Sequence, residues 1–282
     1  MTHEIIYLKE FFPFLGENGC NPMVEMFLPD NMTEMGRQHR KRPCVVICPG
    51  GGYNMCSRRE GEPYAVHFLG EGYNVFVLTY SVKYHTFPTQ LREAAAVMEL
   101  IHQNADRWNC DTSKILICGS SAGGHLAAHY STSYNCDEVR AVFPKSKPVA
   151  GTVLCYPVIT ADPKYAHMGS FQTLLGKETL TDQDIERFSC DRCVTKKTPP
   201  AFIWHTVEDD CVPVMNSMLY ANALREAGVP FELHIYPYGG HGLATCDVHT
   251  YWKEPDGDAN LVHLHSWLQN LKEWLNIMNF KY

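Results

Sequence analysis

The chain has 282 residues, 45% of them hydrophobic, with 24 Lys and Arg against 31 Asp and Glu and a formal net charge of -7. That composition supplies a sizeable buried core, and its basic residues are dispersed apart from Arg37, Arg40, Lys41 and Arg42, which argues against a nucleic-acid partner. The opening stretch MTHEIIYLKEFF lacks a basic n-region, a continuous apolar core and a small-residue cleavage site, and no run reaches the roughly 18 apolar residues of a membrane span, so the expectation is a cytoplasmic protein without a membrane partner.

In chain order, EIIYLKE and MVEMFLP near the N-terminus read as antiparallel strands at one sheet edge. Strand-like apolar runs then recur at 44–48, 74–80, 114–119, 151–156, 201–206 and 231–236. Helical patterns fall at 62–70, 89–104, 122–132, 214–227 and 260–278. Short buried strands alternating with amphipathic helices predict an α/β fold with a mostly parallel, eight-stranded sheet covered on both faces. Residues 157–200 break the rhythm, and an insertion of that length between two strands predicts a lid within a single domain spanning 1–282. Of the twelve cysteines, Cys44, Cys48, Cys118 and Cys155 sit inside the strand runs, where a free thiol acts as a small hydrophobe, so a reducing compartment is expected.

Chemistry concentrates in four places. The stretch ILICGSSAGGHLAAHY carries Gly119, Ser121 and Gly123 in G-x-S-x-G spacing, after a strand and opening a helix. That is the setting of a nucleophile elbow, where a strained strand-to-helix turn projects the serine hydroxyl above the sheet. Ser120 does not fit the spacing, because Cys118 and Ala122 would both have to be glycine. A serine hydroxyl needs a base, and the base an orienting carboxylate, in the chain order serine, acid, histidine. YPYGGHGL places His241 in a glycine-rich loop after the last strand run, and WHTVEDDCVP offers Glu208, Asp209 and Asp210 after the preceding one, with Asp209 favoured and Asp210 in reserve. His125, His129 and His205 read as packed or surface histidines.

The fourth place is CVVICPGGGYNMC, where three glycines follow a strand. The run matches neither phosphate-binding pattern, G-x-x-x-x-G-K-[ST] or G-x-G-x-x-G, but lies where an oxyanion loop belongs, which predicts the amides of Gly51, Gly52 and Ala122 as its donors.

With PGGGY followed by REGEP, then GSSAGGHLAA, PPAFIWHTVEDDCVPV and YPYGGHG in order, nearly the whole chain resembles α/β-hydrolases of the small acetylesterase type, related to hormone-sensitive-lipase-like and feruloyl-esterase-like enzymes. The resemblance implies Ser121 as nucleophile, Asp209 as acid, His241 as base, no cofactor, and short acyl esters, often acetylated sugars, as substrates. Pro49 stands where many of these enzymes carry a histidine before the glycines.

Tyr53, Tyr165 and Phe171 are candidate substrate contacts, and SRREGEP reads either as part of the substrate mouth or as a solvated charged loop. Cys190 and Cys193 form a lone CxxC, too few ligands for zinc, and no metal is expected; Cys211, inside the acid loop, has no evident role. The expected function is a serine carboxylic ester hydrolase acting on a small-molecule ester. An amidase, formamidase or small peptidase with the same triad stays open, as does a non-catalytic binding module. The sequence fits a monomer or an oligomer.

Overall fold

The structure, a computed structural model, describes residues 1–251 and 259–281. Its eight strands are β1 (Thr2–Tyr7), β2 (Met23–Leu28), β3 (Arg42–Cys48), β4 (Asn74–Thr79), β5 (Cys110–Ser120), β6 (Gly151–Cys155), β7 (Ala201–Thr206) and β8 (Phe231–Tyr236). They form one sheet in the order β1-β2-β4-β3-β5-β6-β7-β8. The pairings of β1 with β2 and β2 with β4 are antiparallel, and the remainder are parallel.

The α-helices among the described residues are α1 (Glu62–Gly70), α2 (Thr89–Gln103), α3 (Ser121–Ser133), α4 (Asp137–Arg140), α5 (Met168–Leu175), α6 (Asp182–Phe188), α7 (Met215–Ala227) and α8 (Ala259–Ile277). Because side chains alternate along a strand, each central strand feeds two cores. Cys44, Val46, Ile117 and Ile203 pack under α2, α3 and α7, while Val45, Ile47, Leu116, Phe202 and Trp204 pack under α1 and α8. Burial on both faces explains why these strands read as unbroken apolar runs.

The strand order places the site. From β3 the chain crosses by α1 to β4 on one side, then by α2 back to β5 on the other. Such a reversal leaves a crevice beyond the carboxyl ends of the two strands at the switch point. β3 and β5 are those strands, with Cys48 paired to Gly119 at their ends, so the glycine loop and the elbow leave the sheet side by side.

Candidate active site

Ser121 opens α3 with φ of 53°, a left-handed conformation that few non-glycine residues adopt. The turn is feasible only because its neighbours lack side chains. A Cβ on Gly119 would lie 2.1 Å from the Gly123 carbonyl oxygen, and one on Gly123 would lie 2.0 Å from that of Cys48. The elbow is therefore pressed directly against the end of β3.

Asp209 and His241 arrive from the carboxyl ends of β7 and β8. The loops are stitched together by the Thr206 hydroxyl, which donates to the Gly239 carbonyl at 2.7 Å, and by the Gly239 N–H, which donates to Glu208 Oε2 at 3.1 Å. His241 Nε2 lies 2.8 Å from Ser121 Oγ and Nδ1 lies 2.7 Å from Asp209 Oδ2. The carboxylate only accepts, so Nδ1 carries the imidazole proton and Nε2 presents its lone pair to the serine hydroxyl. Asp210 is exposed, whereas Asp209 is buried, its Oδ1 accepting the N–H groups of Cys211 at 3.0 Å and Val212 at 2.8 Å. Cys211 thus serves the acid through its backbone, while its thiol faces outward.

His205, read from sequence as a packed or surface histidine, lies fully buried with Nε2 3.2 Å from Asp209 Oδ2 and 2.9 Å from the Val212 carbonyl. Facing two oxygens that accept, Nε2 carries the proton, and Nδ1 takes the Ser217 hydroxyl at 2.8 Å. Burial alone would push the Asp209 carboxyl up, but hydrogen bonds from His205 and His241 reverse this and hold it far below the usual carboxylate range.

In the glycine loop, Gly51 has φ of 129° and Gly52 of 62°. A Cβ on Gly51 would meet the Met55 carbonyl oxygen at 2.2 Å, so only glycine fits. The Gly50 N–H is taken by Glu60 Oε2 at 2.7 Å. The N–H groups of Gly51 and Gly52 have no acceptor among the described residues, nor does that of Ala122, which stands in the first turn of α3 with no helical carbonyl behind it. These are the three N–H groups that the sequence puts forward as oxyanion donors.

Residues 32–224 match the BD-FAE family. The chain belongs to that family. Endo-1,4-beta-xylanase B of Butyrivibrio fibrisolvens is 39% identical over 231 residues, covering 78% of this chain and 35% of that protein. An acetylxylan esterase of Xylanibacter ruminicola is 33% identical over 275 residues, covering 96% of this chain and 52% of that protein. The chain therefore spans about a third and about half the length of these two curated relatives. Among solved structures, the acetyl ester-xyloside bifunctional hydrolase of Caldicellulosiruptor lactoaceticus superposes with a TM-score of 0.83 at 33% identity, covering 99% of this chain and 97% of that one. An α/β hydrolase from a Medee basin deep-sea metagenome gives 0.75 at 29% identity, covering 99% and 98%. The fold is the α/β-hydrolase fold.

Two of the three aromatic side chains expected to touch substrate in this BD-FAE site do not reach it. Tyr53 and Phe171 are fully buried: the Tyr53 hydroxyl is 2.8 Å from His125 Nδ1, and the Phe171 ring meets the His125 ring edge-on at 5.0 Å. They support the elbow helix from below, because a left-handed φ of 59° turns Tyr53 inward. Tyr165 is partly exposed, with Lys164 Nζ 4.9 Å from its ring centroid.

Among the side chains of residues 157–200 that face the loop are His167, Ser170 and Thr173, whose hydroxyl accepts from Asn54 Nδ2 at 3.4 Å. His167 Cε1 is 3.9 Å from a Cβ built on Gly52, and its Nδ1 is 2.8 Å from the buried Ser170 hydroxyl. Burial, followed by the nearby His241, lowers its pKa, which favours the neutral imidazole. The CxxC also sits differently from a surface pair. Cys190 is buried with Sγ 3.9 Å from the His125 carbonyl oxygen, while Cys193 Sγ approaches that of Arg187 at 3.4 Å.

Proposed function

We propose that the protein is a serine carboxylic ester hydrolase that removes short acyl groups, acetyl foremost, from acetylated sugars or xylo-oligosaccharides. The observation that carries this reading is the unbroken chain from Asp209 through His241 to Ser121, at 2.7 and 2.8 Å, together with three N–H groups that have no acceptor among the described residues. In this mechanism Ser121 Oγ attacks the ester carbonyl while His241 Nε2 takes its proton, and Asp209 steadies the resulting imidazolium. The amides of Gly51, Gly52 and Ala122 receive the oxyanion. The protonated histidine returns its proton to the departing alcohol, and water, deprotonated by the same base, releases the acid. No step calls on a cofactor.

The sugar acetate side of the proposal is supported by what the relatives are, an acetylxylan esterase and an acetyl ester-xyloside hydrolase. It is supported also by residues 157–200, taken as the cover of the site. They carry Asp162, Lys164, Tyr165, His167 and Met168 rather than an extended apolar stripe. Long acyl chains need such a stripe, since each buried methylene contributes about 0.8 kcal/mol. No helix among the described residues is long and apolar enough to cross a membrane. The twelve unpaired thiols support a reducing, cytoplasmic setting.

The test is a panel of p-nitrophenyl esters, acetylated xylosides and acetanilides. Activity (kcat/KM) is expected to peak between acetyl and butyryl. A maximum at octanoate would overturn the short-acyl reading, and anilides cleaved as fast as esters would favour an amidase.

A further inference from the structure

We propose that Glu60 is a positioning residue whose buried carboxylate clamps the glycine loop to the loop bearing His241; the role rests on reading the site as an ester hydrolase. Glu60 belongs to SRREGEP, a run that in sequence reads either as part of the substrate mouth or as a solvated loop, yet it is only 3% exposed. Burying a carboxylate is costly unless its oxygens are supplied with donors. Here each oxygen has one. Oε2 accepts the Gly50 N–H at 2.7 Å, and Oε1 accepts the Tyr156 hydroxyl at 2.7 Å.

The direction of the network identifies Glu60 as its terminus. The Ala244 N–H donates to the Tyr156 hydroxyl at 2.9 Å, so the proton of Tyr156 is free to point at Glu60. Behind it, the Ser120 hydroxyl donates to the Tyr64 hydroxyl at 2.9 Å, which lies 3.3 Å from that of Tyr156. Each group passes a proton toward one acceptor-only end, which an ionised carboxylate provides and an amide does not. One side chain thereby joins Gly50 in the glycine loop, Ser120 beside the nucleophile, and Ala244 three residues beyond His241.

Two further contacts tighten the same joint. The Tyr156 ring meets the His241 imidazole edge-on at 5.1 Å. Arg59 Nη1 donates to the carbonyls of Gly242 at 3.0 Å and Thr250 at 2.9 Å, so consecutive residues grip the histidine loop on two sides. There is no slack at the other end, where a Cβ on Gly50 would lie 2.6 Å from Glu60 Oε2 and 2.7 Å from the Ser120 carbonyl oxygen. Pro49 has no polar side chain with which to hold the loop, and its carbonyl is fixed instead by the Tyr80 hydroxyl at 2.6 Å. Burial pushes the Glu60 carboxyl up, and hydrogen bonds from Tyr156 and Gly50 and the proximity of His241 and Arg59 draw it only part of the way back, so it stays raised.

The experiment compares wild type with Glu60→Gln and Tyr156→Phe. In Glu60→Gln, kcat/KM on p-nitrophenyl acetate should fall about 100-fold through kcat, the scale of a misplaced oxyanion donor, with KM moving less than threefold. Affinity for a trifluoromethyl ketone, which mimics the tetrahedral adduct, should fall by a similar factor. Hydrogen exchange should quicken in both residues 49–56 and residues 239–246, and not in α2. Tyr156→Phe, which keeps the ring and is the safer variant for folding, should shift the same readouts less. A kcat/KM within threefold of wild type in both variants overturns the proposal, as does faster exchange in one loop alone or throughout the chain. If wild type hydrolyses no ester, the functional reading falls, and the exchange pattern still decides the clamp.

Discussion

The glycine loop and the elbow meet backbone to backbone, whereas residues 157–200 touch the elbow through the Val158 N–H, which donates to the Ser121 carbonyl at 3.0 Å, and reach the glycine loop through side chains. On the floor, the closest prospective contacts are with carbonyl oxygens, 2.0 Å at Gly123 and 2.2 Å at Gly51, so one added methyl group has nowhere to go. In residues 157–200, His167 rests on Ser170, Asp184 caps α6 through Thr181 and pairs with Lys177, and Arg192 pairs with Glu186 at 2.8 Å. The exposed Arg192–Glu186 pair contributes little to stability. Under the proposed function, a floor that tolerates no change suits the reaction, and the polar side chains of residues 157–200, taken as the cover, suit the choice of substrate.

The largest effects should therefore come from the floor and the triad. Ser121→Ala should fold with an unchanged melting temperature, since alanine fits the elbow, and lose activity by at least about 10,000-fold. Asp209→Asn should approach the same loss, about 10,000-fold in the best-studied triad, because an amide in place of the carboxylate favours the wrong histidine tautomer. Asp210→Asn, on the exposed neighbour, should stay within about threefold of wild type, as surface changes usually do. Steady-state kinetics on p-nitrophenyl acetate would check all three, and a reversed ranking of the two aspartates would assign the acid to Asp210.

The cover should respond more gently and more selectively. Removing the whole imidazole in His167→Ala should lower kcat/KM on acetylated xylosides about tenfold, the worth of one hydrogen bond, and leave p-nitrophenyl acetate within about threefold. Gly51→Ala, a far smaller change in volume, should cost about 100-fold on both substrates by displacing an oxyanion donor. Equal losses on both substrates in His167→Ala would erase the distinction between floor and cover.

That same division governed what could be read from sequence. The strands and most helices were legible because burial on both faces writes continuous apolar runs, and Ser121, Asp209 and His241 could be proposed together because each follows a strand in a segment with its own pattern. Glu60, His205 and His167 were not, because what defines them is supplied from elsewhere in the chain. Glu60 becomes a buried carboxylate only when Tyr156, 96 positions away, arrives with its hydroxyl. Tyr53 and Phe171 failed for the converse reason, since an aromatic ring near a motif carries no mark of which way it faces. For α6 a signal was present, the Thr181 and Asp184 capping box, but its seven residues are too few for a helical period to show.

The smallest effect concerns the seam where the cover meets α3. His129 is buried there with its ring 5.8 Å from that of Phe87 and 5.6 Å from that of Phe188, and the Arg187 guanidinium lies 4.8 Å from the Phe87 ring. Burial lowers the His129 pKa well below the ordinary value, helped by His125 and Arg187, and burial brings His125 to about 4. Both therefore stay neutral in the folded protein at pH values where the unfolded chain, with histidines near 6.5, takes up protons. Since the unfolded state binds more protons, stability is complete above about pH 6.5 and declines as pH falls, by about 1.4 kcal/mol per pH unit for each histidine. In the His129→Leu variant one such group is gone. Its urea-unfolding free energy should fall less steeply between pH 6 and pH 5, by about 1.4 kcal/mol over that unit, with its residual slope set by His125 and the other groups. Parallel slopes in the two proteins would mean that His129 takes a proton in the folded state, and that the seam is open to water.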